Sequence, residues 1–486
     1  MTDSPPRTRG FRSAFLRRDL DRWVVLGAAI GLVAGLGAVA LFVSLDWTTH
    51  LLLGSLGGYR PPTPIGEGHA LAVGSTRSWR LPAVVALGGI GCGIVVSLLA
   101  KEAGGDGTNA AIDAVHRNPS GIRSRVSFVK LVASAITIGA GGSGGPEGPT
   151  TQISAGFASL LARRLRLSPA DARIALTAAI GAGIGAIFRA PLGGAVFGAE
   201  VSYREDAEVE ALIPSFVAAI VAFAVFGAFE SYEPIFGTLR DYRFVHHPVQ
   251  FVYFGAIGIA CGLAGRLYAW SLEGVRSISE RSSISRVLKP AIGGLATGLV
   301  GLALPGAIGT GYGWAQTVMS PDLLHLSPWV VLTLPFAKIL TTSFSIGSGG
   351  SGGIFGPGIV IGGFTGASVW WLLHGVAPGL SGPAPFVIVG MVACLGSIAH
   401  TPLAVLLMVV EMTGSLTVLP PAMLAVGIAA MIAGDAGIYN SQRRYRADAT
   451  THAGGGSAVQ PESAMRGDGS SLMARECHST SPHAAN

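Results

Sequence analysis

The chain has 486 residues, of which 50% are apolar and only 12% charged. Soluble domains carry roughly 25% charged residues, so this composition argues against a soluble globular protein and favours one whose surface faces lipid. The net charge of +6 does not indicate a nucleic-acid-binding protein, because its arginines crowd the segment before the first apolar run. The four cysteines form neither a disulfide framework nor a metal-ligand spacing, and we expect no cofactor or metal.

Residues 1–22 form a basic segment, which the positive-inside rule places in the cytoplasm. Residues 23–43 then form 21 residues without a formal charge, long enough to span a hydrocarbon core of about 30 Å. A cleaved signal peptide is the alternative, but the run is too long and lacks a clear small-residue cleavage site. Gly27, Gly31 and Gly35 recur at every fourth position, which predicts a retained helix with a close packing face.

Further apolar runs follow in chain order, and several are too long for one simple span or are broken by glycine and proline. They cover residues 81–100, 126–140, 172–200, 211–229, 250–271, 288–305, 328–346, 354–375, 385–411 and 417–436. This pattern predicts an all-α polytopic membrane protein in which long tilted helices are mixed with short, discontinuous ones.

An internal repeat organises these runs. Residues 141–149 recur as residues 349–357, with seven of nine positions identical at an offset of 208. Other landmarks recur in the same order, namely Lys130 with Lys338, Gly105-x-Gly107 with Gly309-x-Gly311, Pro191 with Pro402, and Glu200 with Glu411. A duplication explains this better than chance.

The repeat predicts two halves, near residues 20–215 and 245–440, in one transport domain over residues 23–446. The residues alone leave open whether the halves are parallel or inverted. Residues 447–486 lack periodicity and are predicted to be a disordered tail.

The duplicated glycine-rich segments predict helix breaks, marked by Gly145 and Pro149 in the first copy and by Gly353 and Pro357 in the second. Irregular backbone at membrane depth must be buried in protein or line a watery cavity. A helix that starts there presents free N–H groups and a partial positive charge. Several such starts at one point form an anion site; tight packing turns are the alternative interpretation.

Glu147 lies inside the first of these segments. A carboxylate in a membrane segment is a functional-site hypothesis by default. At converging helix N-termini it would mimic an anion when ionised and leave when protonated, which predicts a proton-sensitive gate. The alternative is an ordinary N-terminal glutamate stabilised by the helix dipole.

These motifs resemble those of the chloride channel and chloride/proton exchanger family. Residues 145–150, Gly-Pro-Glu-Gly-Pro-Thr, resemble its GxEGP motif, and residues 353–357, Gly-Ile-Phe-Gly-Pro, resemble its GxFxP motif. Tyr439 falls where the family has an anion-binding tyrosine, and Tyr445 is a weaker candidate. The resemblance covers about residues 20–445.

The resemblance implies two inverted halves, a homodimer and a gating role for Glu147. It further implies that the anion is held by the backbone N–H groups of Gly148, Ile354 and Phe355 and by the Tyr439 hydroxyl. Chloride or a similar small monovalent anion would be the substrate, with protons as a possible second one. The protein is then expected to be no enzyme, to contact membrane lipid rather than nucleic acid, and to lie in the plasma membrane.

Two departures from the family pattern qualify this expectation. The family motif GSGxP is replaced here by Asp106, Gly107 and Thr108, which remain candidates for anion binding. An ionised Asp106 cannot donate a hydrogen bond and repels an anion at close range. It is expected to cap the helix, turn outward, be protonated or line a vestibule, with Thr108 as a substitute hydroxyl. Selectivity for chloride over other anions is therefore open.

The second departure concerns the inner proton position of the family's exchangers. Here that position holds Val201, with Glu200 one residue earlier. A valine cannot relay a proton, which favours a channel-like pathway, with exchange as the alternative. Because Glu200 has Glu411 as its repeat counterpart, the two acids are expected to share a structural role.

Other interpretations of single residues remain to be tested by the structure. Lys130 and Lys338 are expected at pore mouths as anion-attracting residues, or snorkelling, or paired with Glu200 or Glu411. A transporter for another anion is the main alternative function. An intramembrane serine protease using Ser143 and His400 is a remote one, because His400 has Arg189 as its repeat counterpart and neither half keeps a Ser–His pair.

Overall fold

The computed structural model of the chain describes residues 9–68, 79–237 and 249–448, with side chains from residue 21 onward. Residues 1–8 of the basic segment, and all but the first two residues of the predicted tail, lie outside the described residues. Within the described ranges the fold is all-α, as predicted, and β pairing is limited to three isolated bridges.

The described residues form sixteen α-helices, whose breaks fall mainly at glycine and proline. The first half holds α1 (Arg9–Thr48), α2 (Leu81–Leu99), α3 (Gly107–Arg117), α4 (Ser124–Gly139), α5 (Glu147–Arg164), α6 (Pro169–Ile187), α7 (Pro191–Glu200) and α8 (Leu212–Phe229). The second half holds α9 (Gln250–Arg281), α10 (Lys289–Ala303), α11 (Tyr312–Met319), α12 (Pro328–Gly347), α13 (Phe355–Leu373), α14 (Pro383–Ile398), α15 (Pro402–Thr413) and α16 (Leu419–Ala433).

The helix lengths suit a bilayer. Seven helical segments of the described chain are long and apolar enough to cross a membrane. The shorter α3, α7, α11 and α15 are too short to cross a hydrocarbon core of about 30 Å alone. The predicted mixture of long and discontinuous helices is thereby confirmed.

The glycine stripe of α1 packs directly on α8. A Cβ at Gly31 would lie 2.3 Å from the carbonyl oxygen of Ala218, and one at Gly35 would lie 2.7 Å from that of Ala222. No side chain fits at such distances, so the two backbones are in contact. The stripe is a packing face, as its spacing predicted.

The two halves are inverted with respect to each other. Helices α2 and α10 are repeat counterparts that pack antiparallel, with Gly89 against Pro290 at one end and Pro82 against Gly298 at the other. We call the face that carries the start of α1 and the α9–α10 connection the inner face. The face that carries the end of α8 and the α13–α14 connection is the outer face.

Glu200 and Glu411 exchange helix caps between the halves. Glu200 Oε2 accepts a hydrogen bond from the Ala404 amide at 2.9 Å, at the start of α15. Glu411 Oε2 accepts one from the Gly193 amide at 2.8 Å, at the start of α7. Each acid thus satisfies an otherwise free N–H group of the other half, which is the shared structural role expected from the repeat.

Candidate anion-binding site

The duplicated glycine segments meet in the protein interior. The Gly145 amide donates to the Gly353 carbonyl at 3.0 Å, and the Gly353 amide donates to the Gly145 carbonyl at 2.7 Å. Directly after this paired contact α5 and α13 begin, and they run to opposite faces. Both N-terminal ends, with their free N–H groups and partial positive charge, therefore lie together at the centre of the fold.

The start of α3 joins the same point. A Cβ at Gly107 would lie 2.2 Å from the Gly148 carbonyl oxygen, so only glycine permits this approach. Gly148, Ile354 and Phe355 are buried. The structure thus brings together three of the residues that the resemblance assigns to the anion.

The Glu147 side chain lies on the N-terminal end of α13. Its Oε1 accepts a hydrogen bond from the Gly356 amide at 2.6 Å, and the residue is fully buried. A Cβ at Gly353 would lie 2.3 Å from the same oxygen, so glycine leaves the room that the carboxylate occupies. A free anion attracted to this helix end would compete for the same amide.

Tyr312, the first residue of α11, was not predicted from the sequence. Its hydroxyl lies 3.5 Å from Glu147 Oε2, and its ring packs edge-on against Phe188 at 6.3 Å. The repeat held a signal for it, because Tyr312 follows Gly309-x-Gly311 as Thr108 follows Gly105-x-Gly107. Both halves thus send one hydroxyl toward the central region from equivalent helix starts.

Tyr439 lies with Thr108 on the inner side of these helix ends. Both side chains are fully buried, and the two hydroxyls lie close together. Neither has a hydrogen-bond partner of good geometry among the described residues. Only one of the two hydroxyls can donate to the other, so the pair keeps one hydrogen for a further acceptor. Tyr445, the weaker candidate, lies instead at the exposed inner face, where its hydroxyl donates to Glu205.

Asp106 caps α3 and also lines a vestibule. Its Oδ2 accepts a hydrogen bond from the Asn109 amide at 2.8 Å. The residue contributes to the wall of a cavity of about 500 Å³ at the inner face, together with Arg276 and Asn440. Asp106 therefore both caps a helix and lines a vestibule, which are two of the four outcomes expected from the sequence.

The two repeat lysines differ from expectation. Lys130 Nζ donates to the Gly105 carbonyl at 2.7 Å, and Lys338 Nζ donates to the Gly309 carbonyl at 2.7 Å. Both side chains are fully buried, so they neither line pore mouths nor pair with Glu200 or Glu411. Each lysine instead holds the loop before a short helix, because that loop leaves carbonyl groups without a helical partner.

The inner proton position is apolar, and no protease pair forms. Val201 is fully buried. The Ser143 hydroxyl lies 2.8 Å from that of Thr342, and His400 Nδ1 lies 3.2 Å from the amide oxygen of Gln442. The serine and histidine therefore have separate partners and give no support to nucleophilic catalysis.

A second cavity, of about 480 Å³, opens at the outer face around Arg189. The Arg189 guanidinium donates to the carbonyls of Gly66 at 2.6 Å and Glu233 at 3.0 Å. Burial raises the pKa of the neighbouring Glu67 to about 7. Glu230 and Glu233 also line this cavity, so three acidic residues surround the single Arg189 guanidinium.

The class of protein follows from three features: inverted halves, broken helices with converging N-termini, and cavities at both faces. Together they define a multi-pass membrane protein that moves a small solute. A family model described as voltage gated chloride channel matches residues 88–434. The chain belongs to this family.

Relatives and solved structures agree with this assignment. The chain is 30% identical over 355 residues to a putative chloride channel protein ClcB-like of Ralstonia nicotianae, covering 71% of this chain and 81% of that protein. It is 29% identical over 437 residues to a chloride/fluoride channel protein of Pseudomonas syringae pv. tomato, covering 87% of each.

Two solved structures share the fold. A CLC-type fluoride/proton antiporter superposes with a TM-score of 0.73 at 22% identity, over 87% of this chain and 98% of that one. A slow cyanobacterial Cl⁻/H⁺ antiporter superposes with a TM-score of 0.71 at 21% identity, over 86% of this chain and 96% of that one.

Proposed function

We propose that the protein conducts chloride or a similar small monovalent anion passively across the membrane, with Glu147 as its gate. The observation that carries the proposal is the contact of the Glu147 carboxylate with the amide end of α13. A side-chain carboxylate there blocks the place where a mobile anion would bind. The binding is electrostatic and uses no full positive charge, which suits a site that must also release its ion.

The proposed path joins the two cavities. An anion enters from the inner vestibule at Asp106 and Arg276, passes the hydroxyls of Thr108 and Tyr439, and reaches the amides of Gly148, Ile354 and Phe355. It then meets Glu147 and leaves beside Tyr312 toward the outer cavity. Protonation removes the negative charge of Glu147, weakens its hold on α13 and vacates the position for the anion.

Proton-coupled exchange is the second candidate, since two structural neighbours are described as antiporters. Val201 supports the passive pathway, because an apolar side chain at the inner position cannot carry a proton. Fluoride is an alternative substrate, in view of the chloride/fluoride channel protein among the relatives.

The test is anion efflux from liposomes that contain the purified protein. Efflux through the wild type should rise as the outer pH falls, because protonation opens the gate. Glu147→Gln mimics the protonated acid, so at a fixed inner pH its efflux should exceed that of the wild type at neutral outer pH and should be independent of the outer pH. Persistent control by outer pH in this variant would show that Glu147 is not the gate.

The same liposomes distinguish the alternatives. A chloride gradient should drive no uphill proton movement, and proton pumping would replace the passive pathway by exchange. Efflux of fluoride and nitrate measured beside chloride gives the anion ranking. Glu233→Gln, at the outer cavity but away from the central contact, serves as the matched control and should keep the wild-type response to outer pH.

The orientation proposed for the chain places the inner face in the cytoplasm, and with it the N-terminus. Basic residues of the described chain cluster on the inner face, namely Lys101, Arg117, Arg123, Arg125, Arg163, Arg164, Arg166, Arg204, Arg281, Arg286, Arg443, Arg444 and Arg446. Those at the outer face are Arg60, Arg80 and Arg189. The positive-inside rule supports this orientation in the plasma membrane. A homodimer, as the family resemblance implies, is part of the same proposal.

A further inference from the structure

One carboxylate oxygen at the centre of the fold has no role in the gate at Glu147. Asp106 is only 7% exposed, and its Oδ1 has no hydrogen-bond partner among the described residues. A Cβ built on Gly148 would lie 2.7 Å from this oxygen and 2.8 Å from the Gly353 Cα. This oxygen therefore points at the meeting point of α5 and α13, and the carboxylate lies near the Ile354 amide there, while the capping oxygen stays on α3.

The Lys130 and Arg276 cations and the Asn109 and Ile354 amides lie close enough to favour the charged form of this carboxylate, but none of the described cations pairs with it directly. Within the described part of the chain Asp106 forms no ion pair, and the nearby Lys130 ammonium group is directed at the carbonyls of Gly105 and Ala103. The titratable and charged groups that face Asp106 from the neighbouring elements are Lys130, Glu147, Tyr268, Arg276 and Tyr439. Asp113 and Glu280 line the same vestibule. An ionised Asp106 thus repels any anion that approaches from the inner side.

We propose that Asp106 is a second, inner gate: its ionised carboxylate occupies the anion's place beside Gly148, and proton binding from the vestibule opens it. The inference rests on the proposed anion path and adds control from the cytoplasmic face. Asp106 and Glu147 then guard the same group of helix ends from opposite sides.

The chemistry of the step is a single proton transfer. Vestibule water delivers a proton to Oδ1, and the negative charge disappears without breaking the cap, because Oδ2 continues to accept from the Asn109 amide. The new O–H group is a hydrogen-bond donor. It joins the hydroxyls of Thr108 and Tyr439, so that a group which repelled the anion now helps to bind it.

The experiment uses the full-length protein in liposomes with the inner pH set independently. With the outer side held acidic so that Glu147 is protonated, wild-type efflux should rise about tenfold as the inner pH falls from about 7.5 to about 5. With the outer side held acidic in the same way, Asp106→Asn and Asp106→Ser should both give high efflux at neutral inner pH and no response to inner pH. Asparagine and serine remain good N-cap residues, so α3 should still form.

Asp113→Asn is the matched control. This acid lies on the same helix and in the same vestibule, but it pairs with Arg117 at 2.7 Å. Its removal should leave the response to inner pH unchanged. Calorimetric chloride titration gives a readout without transport, and Asp106→Ser should bind chloride about tenfold more tightly than the wild type at neutral pH, because a close like charge is removed.

The outcomes separate this inference from the proposed function. Wild-type efflux that ignores inner pH, or Asp106 variants that keep the wild-type pH response and chloride affinity, would overturn the inner gate while anion conduction stands. If neither the wild type nor Glu147→Gln passes any anion when both sides are acidic, the proposed function fails first. Thermal unfolding is measured for each variant, and a variant that does not fold is set aside. A folded Asp106→Asn or Asp106→Ser protein that keeps the wild-type response to inner pH counts against the inner gate.

Discussion

Tyr312 shows that the surroundings of the gate come from outside the motif that contains it. Its hydroxyl lies 3.5 Å from Glu147 Oε2, although 165 residues separate the two in the chain. The side chain is held by aromatic contacts with Phe188 and Phe236. A hydroxyl in this position can donate to the ionised carboxylate of Glu147, which is the form proposed to block the pathway.

Tyr312→Phe should therefore increase anion efflux at neutral pH. Loss of one long hydrogen bond is worth about 0.5–1.5 kcal/mol, which corresponds to about a two- to tenfold increase. Liposome efflux at fixed outer pH measures this change. Tyr253→Phe removes a hydroxyl that bonds the Pro378 carbonyl at the outer face and should have no effect. Unchanged efflux in Tyr312→Phe would mean that the hydroxyl does not hold the gate.

Residues inside the duplicated motifs could be predicted from the sequence, and residues that support them could not. The short duplicated segments contain glycines and a proline that predict a helix break. The structure brings together the residues of these segments, namely Glu147, Gly148, Ile354 and Phe355. The partners of Lys130 were missed, because a buried lysine that bonds loop carbonyls has no local pattern of its own. Only the three-dimensional path of the loop determines which carbonyls need a donor.

At the scale of elements, the glycines of α1 allow its backbone to contact the backbone of α8. The regular spacing of Gly27, Gly31 and Gly35 was enough to predict a packing face, but the sequence did not show that α8 is the partner. Periodicity reports which side of a helix is buried. It carries no information about the distant segment that covers it.

Gly31→Leu should destabilise the protein by about 1–3 kcal/mol, the usual cost of overpacking, because its Cβ would collide with the Ala218 carbonyl oxygen at 2.3 Å. Thermal unfolding in detergent measures the loss. Gly274→Ala on α9 is the control, since nothing lies within 4 Å of a Cβ at that position. A Gly31→Leu protein as stable as the control would mean that α1 and α8 are not in backbone contact.

For the whole molecule, the repeat predicted one domain with two related halves. Their inversion did not follow from the residues alone; the family resemblance implied it, and the packing of α2 on α10 confirms it. Sequence identity between the halves does not record direction, because each half inserts according to its own flanking charges. The orientation of the entire chain in the membrane is accordingly a separate prediction.

Single cysteines test that orientation on a Cys477→Ser background, since Cys92, Cys261 and Cys394 are buried. Gly375→Cys at the outer face should react with a membrane-impermeant maleimide added to intact cells. Ser283→Cys at the inner face should react only after the cells are opened. The reverse pattern would place the arginine-rich face outside.

The paired amides and carbonyls of Gly145 and Gly353 also affect biosynthesis. When the first of these glycines enters the bilayer, its partner lies 208 residues further along the chain and has not yet been translated. Until then the first segment must bury its polar backbone in a temporary arrangement or remain near the insertion machinery, because lipid offers it no acceptor. The contact at the centre of the proposed pathway therefore forms only after residue 353 has been synthesised, and a chain that stops before that residue lacks this contact.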